Sequence, residues 1–362
     1  MDLQQLIEKF SLNSSYLERG NPSLARVLNS DIEDIIKAKE IVRKTAKDSL
    51  DLHQVWHKTK EFSILYKKKE TPKEDILSYL KDSINNLELL LKPLPTHSKI
   101  DGHLLVLNLT DFHLNRKDIE GEDTLETQVQ EIFNTFNALL ELSTRAFDIN
   151  QILIVCGHDY FNSDFNHQTT KGTPQTDLVE GFKAFRAGLK LASSIITNAG
   201  QYAPVDFVIV NGNHDNQSSL FLGVSLEQIF NSSKDTVSIH YQDKDRVYYE
   251  YDNNAFMLAH HVPKDVKDLP LLFVTEEPSL FAKCKNRFIL TGHLHSEQRV
   301  VYKQSREGYG IQWIQSPSLA KTDKWHGQQG YIGNKLQISS IVIHPQDGKV
   351  SEFFSQRKGI DK

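Results

Sequence analysis

Three apolar runs of strand length each stop in a cluster of glycine, aspartate and histidine. Leu104–Leu109 leads into Asp111-Phe112-His113, Ile152–Cys156 into Gly157-His158-Asp159, and Val205–Val210 into Asn211-Gly212-Asn213-His214-Asp215. Runs that are apolar at consecutive positions, rather than at alternate ones, are how strands buried on both faces read. Helical patterns separate them. Asp123-Thr124-Leu125-Glu126 forms a capping box ahead of Leu125, Val129, Ile132, Phe133, Phe136 and Leu140, which recur at helical spacing. A second helix opens at Asp177-Leu178-Val179-Glu180 and runs through Phe182, Phe185, Leu189, Ala192 and Ile196 to Gly200. Such alternation excludes an all-helical or all-β chain. It also places the polar clusters beyond the carboxyl ends of strands, where open α/β sheets hold their ligands.

The second half is richer in strands: Arg246–Tyr251, Ala255–Ala259, Arg287–Leu290, Ile311–Ile314 and Leu336–Ile343 have the length and the β-branched and aromatic content. A second sheet packed on the first accommodates them, so the expected class is α/β (α+β), a two-sheet sandwich flanked by helices. Residues 1–95 differ, with Leu/Ile and Lys/Glu patterns and none of the glycine-rich turns of the later motifs. They read as a helical N-terminal extension to a domain spanning 96–362, and Leu91-Lys92-Pro93-Leu94-Pro95 reads as the linker. Within the extension Ser30-Asp31-Ile32-Glu33 is a capping box, and Ile32, Ile35, Ile36 and Ala38 make a partial apolar stripe. Between residues 36 and 69, ten Lys or Arg face four acidic residues, a local net of +6. A phosphate backbone suits such a run, and so does an ordinary solvated helical face. His53 and His57, four apart, can share a helix face.

The net charge of -5 is mild, and nothing in the global composition suggests a nucleic-acid partner. No apolar stretch reaches the eighteen or so residues of a membrane span, and the N-terminus lacks a basic region followed by an apolar one. A cytoplasmic protein without a membrane partner is expected. The only cysteines are Cys156 and Cys284, which with Cys156 at the end of an apolar run argues against a disulfide framework.

The clusters carry metal-ligand chemistry. In Asp111-Phe112-His113, two-residue spacing on an extended segment sends a carboxylate and an imidazole to one side. Gly292-His293-Leu294-His295 repeats that spacing with two imidazoles after a buried strand, and Gly212-Asn213-His214-Asp215 delivers an amide, an imidazole and a carboxylate from one strand end. Ala259-His260-His261 adds a further imidazole; His260, directly after the apolar strand, is the better ligand of the two.

In order, these segments resemble the calcineurin-like metallophosphoesterases, whose pattern is D-x-H, G-D, G-N-H-D/E, H and G-H-x-H. The resemblance covers about Leu104 to His295 and implies a two-sheet sandwich. It implies that Asp111, His113 and His295 hold one metal, that Asn213, His260 and His293 hold another, and that a carboxylate after the second strand bridges them. His214 is then the general acid for the leaving oxygen, with Asp215 orienting its ring. Mixed nitrogen and oxygen ligands suit two divalent ions, Mn first, with Fe or Zn as alternatives. Two cations about 3.5–4 Å apart lower the pKa of a bridging water, so the nucleophile is expected to be hydroxide.

One departure matters: the family aspartate follows glycine directly, whereas here it arrives one residue late, as Asp159. Asp159 is taken as the bridge because two dications need an anionic ligand between them; Asp164 is the alternative, and His158 is a further ligand or a group on the substrate side. Segments such as Asn162-Ser163-Asp164, Thr169–Gln175, Asp268–Leu272 and Ser316–His326 look like those of a phage and prophage subgroup of the family. They read as loops, and in the last of them Lys321, Trp325 and His326 offer a cation, a stacking surface and an imidazole to a nucleotide. The expected activity is a metal-dependent phosphodiesterase or nuclease on DNA or RNA. Hydrolysis of a small nucleotide and a catalytically silent metal-binding scaffold are the alternatives.

Overall fold

The computed structural model describes residues 2–12, 21–49, 54–58, 63–67, 92–97, 101–260, 268–292, 305–308, 310–330 and 335–357. The chain divides into two compact units, Met1–Leu77 and Ser78–Lys362. In the first, α1 (Leu3–Leu12), α2 (Asn21–Leu28) and α3 (Ile32–Ser49) bury Leu6, Phe10, Leu28, Ile35, Ala38 and Val42 together. Ile32 and Ile36, expected on the same stripe, stay exposed.

This unit is not all helical. β1 (Gln54–Lys58) and β2 (Ser63–Lys67) form an antiparallel pair, with Val55 opposite Tyr66, Trp56 opposite Leu65 and His57 opposite Ile64. The lysines around this stretch resemble a helical surface, yet a valine, a tryptophan, an isoleucine and a tyrosine within two five-residue runs favour pleated backbone. His57 therefore lies in a strand, not on a helix with His53, which falls outside the described residues.

The second unit is a two-sheet sandwich flanked by helices. Its elements are β3 (His103–Asn108), α4 (Leu125–Ala146), β4 (Ile149–Gly157), α5 (Gly181–Ala199), β5 (Val205–Val210), α6 (Asn216–Ile229), β6 (Val237–Tyr241), β7 (Arg246–Tyr251), β8 (Asn254–Ala259), α7 (Leu269–Glu276), α8 (Pro278–Lys283), β9 (Asn286–Thr291), β10 (Ser305–Gly308), β11 (Ile311–Gln315), α9 (Lys324–Gln328), β12 (Gln337–His344) and β13 (Gly348–Gln356). A six-stranded sheet runs β13-β12-β3-β4-β5-β6 and a five-stranded sheet β10-β11-β9-β8-β7. Strands β3 to β6 pair in parallel, whereas β12 and β13 join antiparallel.

Consecutive apolar residues put a buried side chain on each face of the central strands. Leu104, Val106, Leu153, Val155, Val208 and Val210 point toward Phe256, Leu258, Phe288 and Leu290 of the second sheet. Their neighbours Leu105, Leu107, Ile152, Ile154, Phe207 and Ile209 face α4, α5 and α6 through Phe136, Leu189 and Leu226. Helix α7 covers the outer side of the second sheet, where Leu269 and Phe273 meet Met257 and Ile289. Asp268–Leu272, whose sequence reads as a loop, instead opens this helix, because the apolar run that begins at Leu269 winds over an apolar sheet face.

Two helix starts differ from expectation. The capping box of α4 is Thr124 with Thr127, one residue later than Asp123 with Glu126. Asp123 is drawn away to Lys321 and Arg357. Helix α5 begins at Gly181 without a side-chain cap, because Asp177 accepts hydrogen bonds from Asn162, Ser163 and His167.

Candidate metal centre

Beyond the parallel strands, the loops keep pairing. Asp111 N–H donates to the His158 carbonyl at 2.8 Å, His113 N–H to Asp159 at 3.0 Å, and His158 N–H to Val210 at 2.8 Å. To achieve this the backbone turns left-handed at Asp111 (φ 53), His113 (φ 44), Asn115 (φ 83), His158 (φ 48) and Asp159 (φ 64). Five non-glycine residues in this sparsely populated region, gathered in two facing loops, are strain of the kind that functional sites store. The D-x-H segment is thus not extended: a turn, not strand alternation, brings its two side chains together.

The side chains converge on Asp159. His113, Asp159 and His214 each place a ligand atom within 4.8 Å of the others, and so do Asp111, Asp159 and His260. Asp159 belongs to both groups. Its Oδ2 lies 3.1 Å from His260 Nε2 and 3.9 Å from His113 Nε2, and its Oδ1 accepts the His214 backbone N–H at 2.8 Å. Asp111 Oδ1 is 4.0 Å from both His113 Nε2 and His260 Nδ1. Asn213 joins through its Oδ1, 3.0 Å from His260 Nε2. Asp164 is elsewhere, accepting from the backbone N–H and hydroxyl of Ser218 at the start of α6. His293 and His295, with His261, lie outside the described residues.

Burial makes these groups act strongly on one another. Burial raises the Asp159 pKa, but His260 and His214 outweigh it and hold the carboxyl well below the ordinary range. Burial likewise lowers His260, yet Asp159 and Asp111 push it up to about 9. Asp215 is pushed up to about 8 by burial and then by the Asp159 charge. His158 is fully buried, its pKa far below the usual value through burial and the neighbouring His260. Both of its ring nitrogens lack a hydrogen-bond partner among the described residues. Buried polar groups are almost always satisfied, so a second buried carboxylate, several imidazoles and an orphaned histidine around Asp159 form a donor set that fits a metal ion.

His214 Nδ1 donates to the Asn162 carbonyl at 2.8 Å, leaving Nε2 as the ring's basic nitrogen, and its ring meets His113 edge-on at 4.8 Å. Asp215 does not orient that ring. Its Oδ2 instead accepts the Phe161 backbone N–H at 2.8 Å and the Ser219 hydroxyl at 2.9 Å, because the chain turns inward there into α6 and the carboxyl is buried.

The Ser316–Gln328 segment borders the centre, with the Ser318 hydroxyl donating to the Asp111 carbonyl at 2.6 Å. Lys321 is held by Asp123 at 2.5 Å, and His326 Nδ1 by Asp323 at 2.8 Å; Trp325 lies in α9. Sequence reasoning missed Arg116 and Asp323. Arg116 Nε donates to Asn162 Oδ1 at 3.0 Å and lies 3.6 Å from Asp323 Oδ2. No periodicity marks an arginine three residues past His113, and its partners are 46 and 207 positions away.

The described residues thus make an α/β sandwich with a buried aspartate–histidine cluster at the ends of its parallel strands. No family model matches the chain, and no curated protein matches it.

Proposed function

We propose that the chain is a metal-dependent phosphoric ester hydrolase of the calcineurin-like type, a phosphodiesterase acting on nucleic acid. The carrying observation is that one buried carboxylate, Asp159, stands within ligand distance of His113 on one side and of His260 and Asp111 on the other, the position a carboxylate between two cations would take. Asp111, His113, Asp159, Asn213 and His260 would hold the ions, together with His293 and His295; Mn is the first expectation, with Fe or Zn as alternatives. Bound there, divalent ions supply Lewis-acid charge that activates water and neutralises phosphoryl oxygens.

The chain's own residues do the rest. The backbone of His214 is pinned to Asp159 and its Nδ1 to Asn162, so the ring has one orientation and Nε2 is the atom that exchanges a proton with the leaving oxygen. Asp215 secures the turn that carries His214 by tying Phe161 to α6. Nucleic acid as the substrate rests on the basic run between residues 36 and 69.

Hydrolysis of bis(p-nitrophenyl) phosphate, single-stranded DNA and duplex DNA with Mn²⁺ tests the reading, comparing wild type with Asp159→Asn and His214→Ala. DNA cleavage by wild type that falls about 10²–10⁴-fold in His214→Ala supports it. Dye-ester activity without DNA cleavage moves the substrate to a small nucleotide. Silence on every substrate by a metal-loaded protein rejects the enzyme and favours a binding scaffold.

A further inference from the structure

Two arginines of the second unit are buried near the metal centre, and they spend their donors differently. Arg357 Nε pairs with Glu131, Nη1 donates to the Leu319 carbonyl at 3.0 Å and Nη2 to Asp123 Oδ2 at 3.0 Å. Every nitrogen of that guanidinium is used. Arg116, only 5 % exposed, uses Nε alone, toward Asn162 and Asp323. Its two terminal nitrogens have no partner among the described residues, although each carries two N–H donors.

Arg116 lines a small cleft together with Phe112, His113, Asp123, Lys321 and Arg357. His113 belongs also to the metal centre. Lys321 and Arg357 in this cleft are already matched by the carboxylates of Asp123 and Glu131, whereas Arg116 has an ion pair only with Asp323 among the described residues, at 3.6 Å, with Asp159, Asp111 and Asp177 acting on it at longer range, and Asp323 is itself hydrogen-bonded to the backbone and ring of His326.

The arginine is also held rigid before any ligand arrives. Asn115, in its left-handed turn, receives the Leu178 N–H at its carbonyl and exchanges side-chain bonds of 2.9 Å with both N–H and C=O of Val179. Gln128 accepts the Asn115 N–H at 2.8 Å and donates to the Arg116 carbonyl at 2.7 Å. A planar fork fixed in place, with its outer edge free, matches a tetrahedral oxyanion, which takes two parallel N–H donors.

We infer that Arg116 is a substrate-binding residue of this centre, its terminal nitrogens clamping non-bridging oxygens of the phosphoester, with Asn162 tying that clamp to His214. The inference rests on the phosphoesterase reading and adds a residue to it. Asn162 is the physical link, accepting from Arg116 on its side chain and from His214 on its carbonyl. Loss of the fork weakens phosphate binding at least about tenfold, the usual effect of removing a charged hydrogen-bond pair.

The test uses the full-length, Mn-loaded protein as wild type, Arg116→Lys and Arg116→Gln. Orthophosphate binding is read by titration calorimetry and bis(p-nitrophenyl) phosphate hydrolysis as separate KM and kcat, with metal content and melting temperature measured alongside. The expected result is unchanged metal content, orthophosphate affinity and KM at least about tenfold worse in Arg116→Gln, and partial recovery in Arg116→Lys, whose ammonium restores charge but not the fork. If Arg116→Gln does not fold, Arg116→Lys decides, with an affinity loss of about threefold or more expected. Variants that fold, keep their metal and bind orthophosphate within about twofold of wild type overturn the inference while leaving the hydrolase intact. A wild type that neither hydrolyses the ester nor binds orthophosphate overturns both.

Discussion

Gly157→Ala is the most searching perturbation of this architecture, because Gly157 is where β4 turns into the loop carrying His158 and Asp159. Its φ is +86, and a Cβ there would overlap the Val210 carbonyl oxygen and lie 3.0 Å from Val210 N and 3.1 Å from Val210 C. These are backbone atoms of the paired strand, which cannot rotate aside. The left-handed conformation costs alanine about 1–2 kcal/mol. Relieving the overlap separates β4 from β5 at their carboxyl ends and breaks the His158 N–H to Val210 carbonyl bond, about 1 kcal/mol more. Reduced unfolded-state entropy returns about 0.4–1 kcal/mol, for a net loss of about 2 kcal/mol, rising with the overlap that remains. Gly121→Ala is the control, since its φ is +70 but its Cβ meets nothing within 4 Å. Urea unfolding of both variants, with Mn²⁺ titration of the folded forms, measures the difference. Gly157→Ala should lose at least about 1 kcal/mol more than Gly121→Ala and bind metal more weakly. Equal stabilities with unchanged metal affinity would refute the idea that backbone contact at this strand end sets the position of Asp159.

Three further outcomes are expected. Asp123→Ala removes the carboxylate shared by Arg357 and Lys321, leaving Arg357 with Glu131 and the Leu319 carbonyl, and should cost about 1–3 kcal/mol by urea unfolding, the usual effect of leaving a buried charged donor unmatched. Burial raises the Asp206 pKa, but hydrogen bonds from His240, Tyr249 and Gln151 outweigh it and depress the folded value. Its stabilisation is therefore complete above the ordinary aspartate pKa and is lost as pH falls through the depressed folded value, so Asp206→Asn should flatten the stability profile below about pH 4. Mn²⁺ at about a hundredfold over its dissociation constant should stabilise wild type by about 2.7 kcal/mol in thermal unfolding, an increment that chelator removes and Asp159→Asn lacks.

None of the described helices is long and apolar enough to cross a bilayer. Strands β3, β4 and β5 were legible because hydrophobic burial on both faces writes itself into consecutive residues, and the glycine–aspartate–histidine clusters at their ends stand out against it. Short or half-exposed elements were not. The β1–β2 pair, β6, β13 and α6 carry mixed polar and apolar residues whose structure is decided by what they pack against.

Local residue order was enough to read the sandwich class and a set of candidate ligands, since strand periodicity and ligand chemistry are local properties of the chain. Chain packing fixed that Asp159 and not Asp164 stands among the histidines, that Asp215 serves the turn and not the His214 ring, and that Arg116 meets Asn162 with its terminal nitrogens unpartnered among the described residues. Each of those outcomes depends on loops from separate strands exchanging backbone hydrogen bonds and forcing left-handed turns. Such turns reverse where side chains point, and nothing in local residue spacing records them.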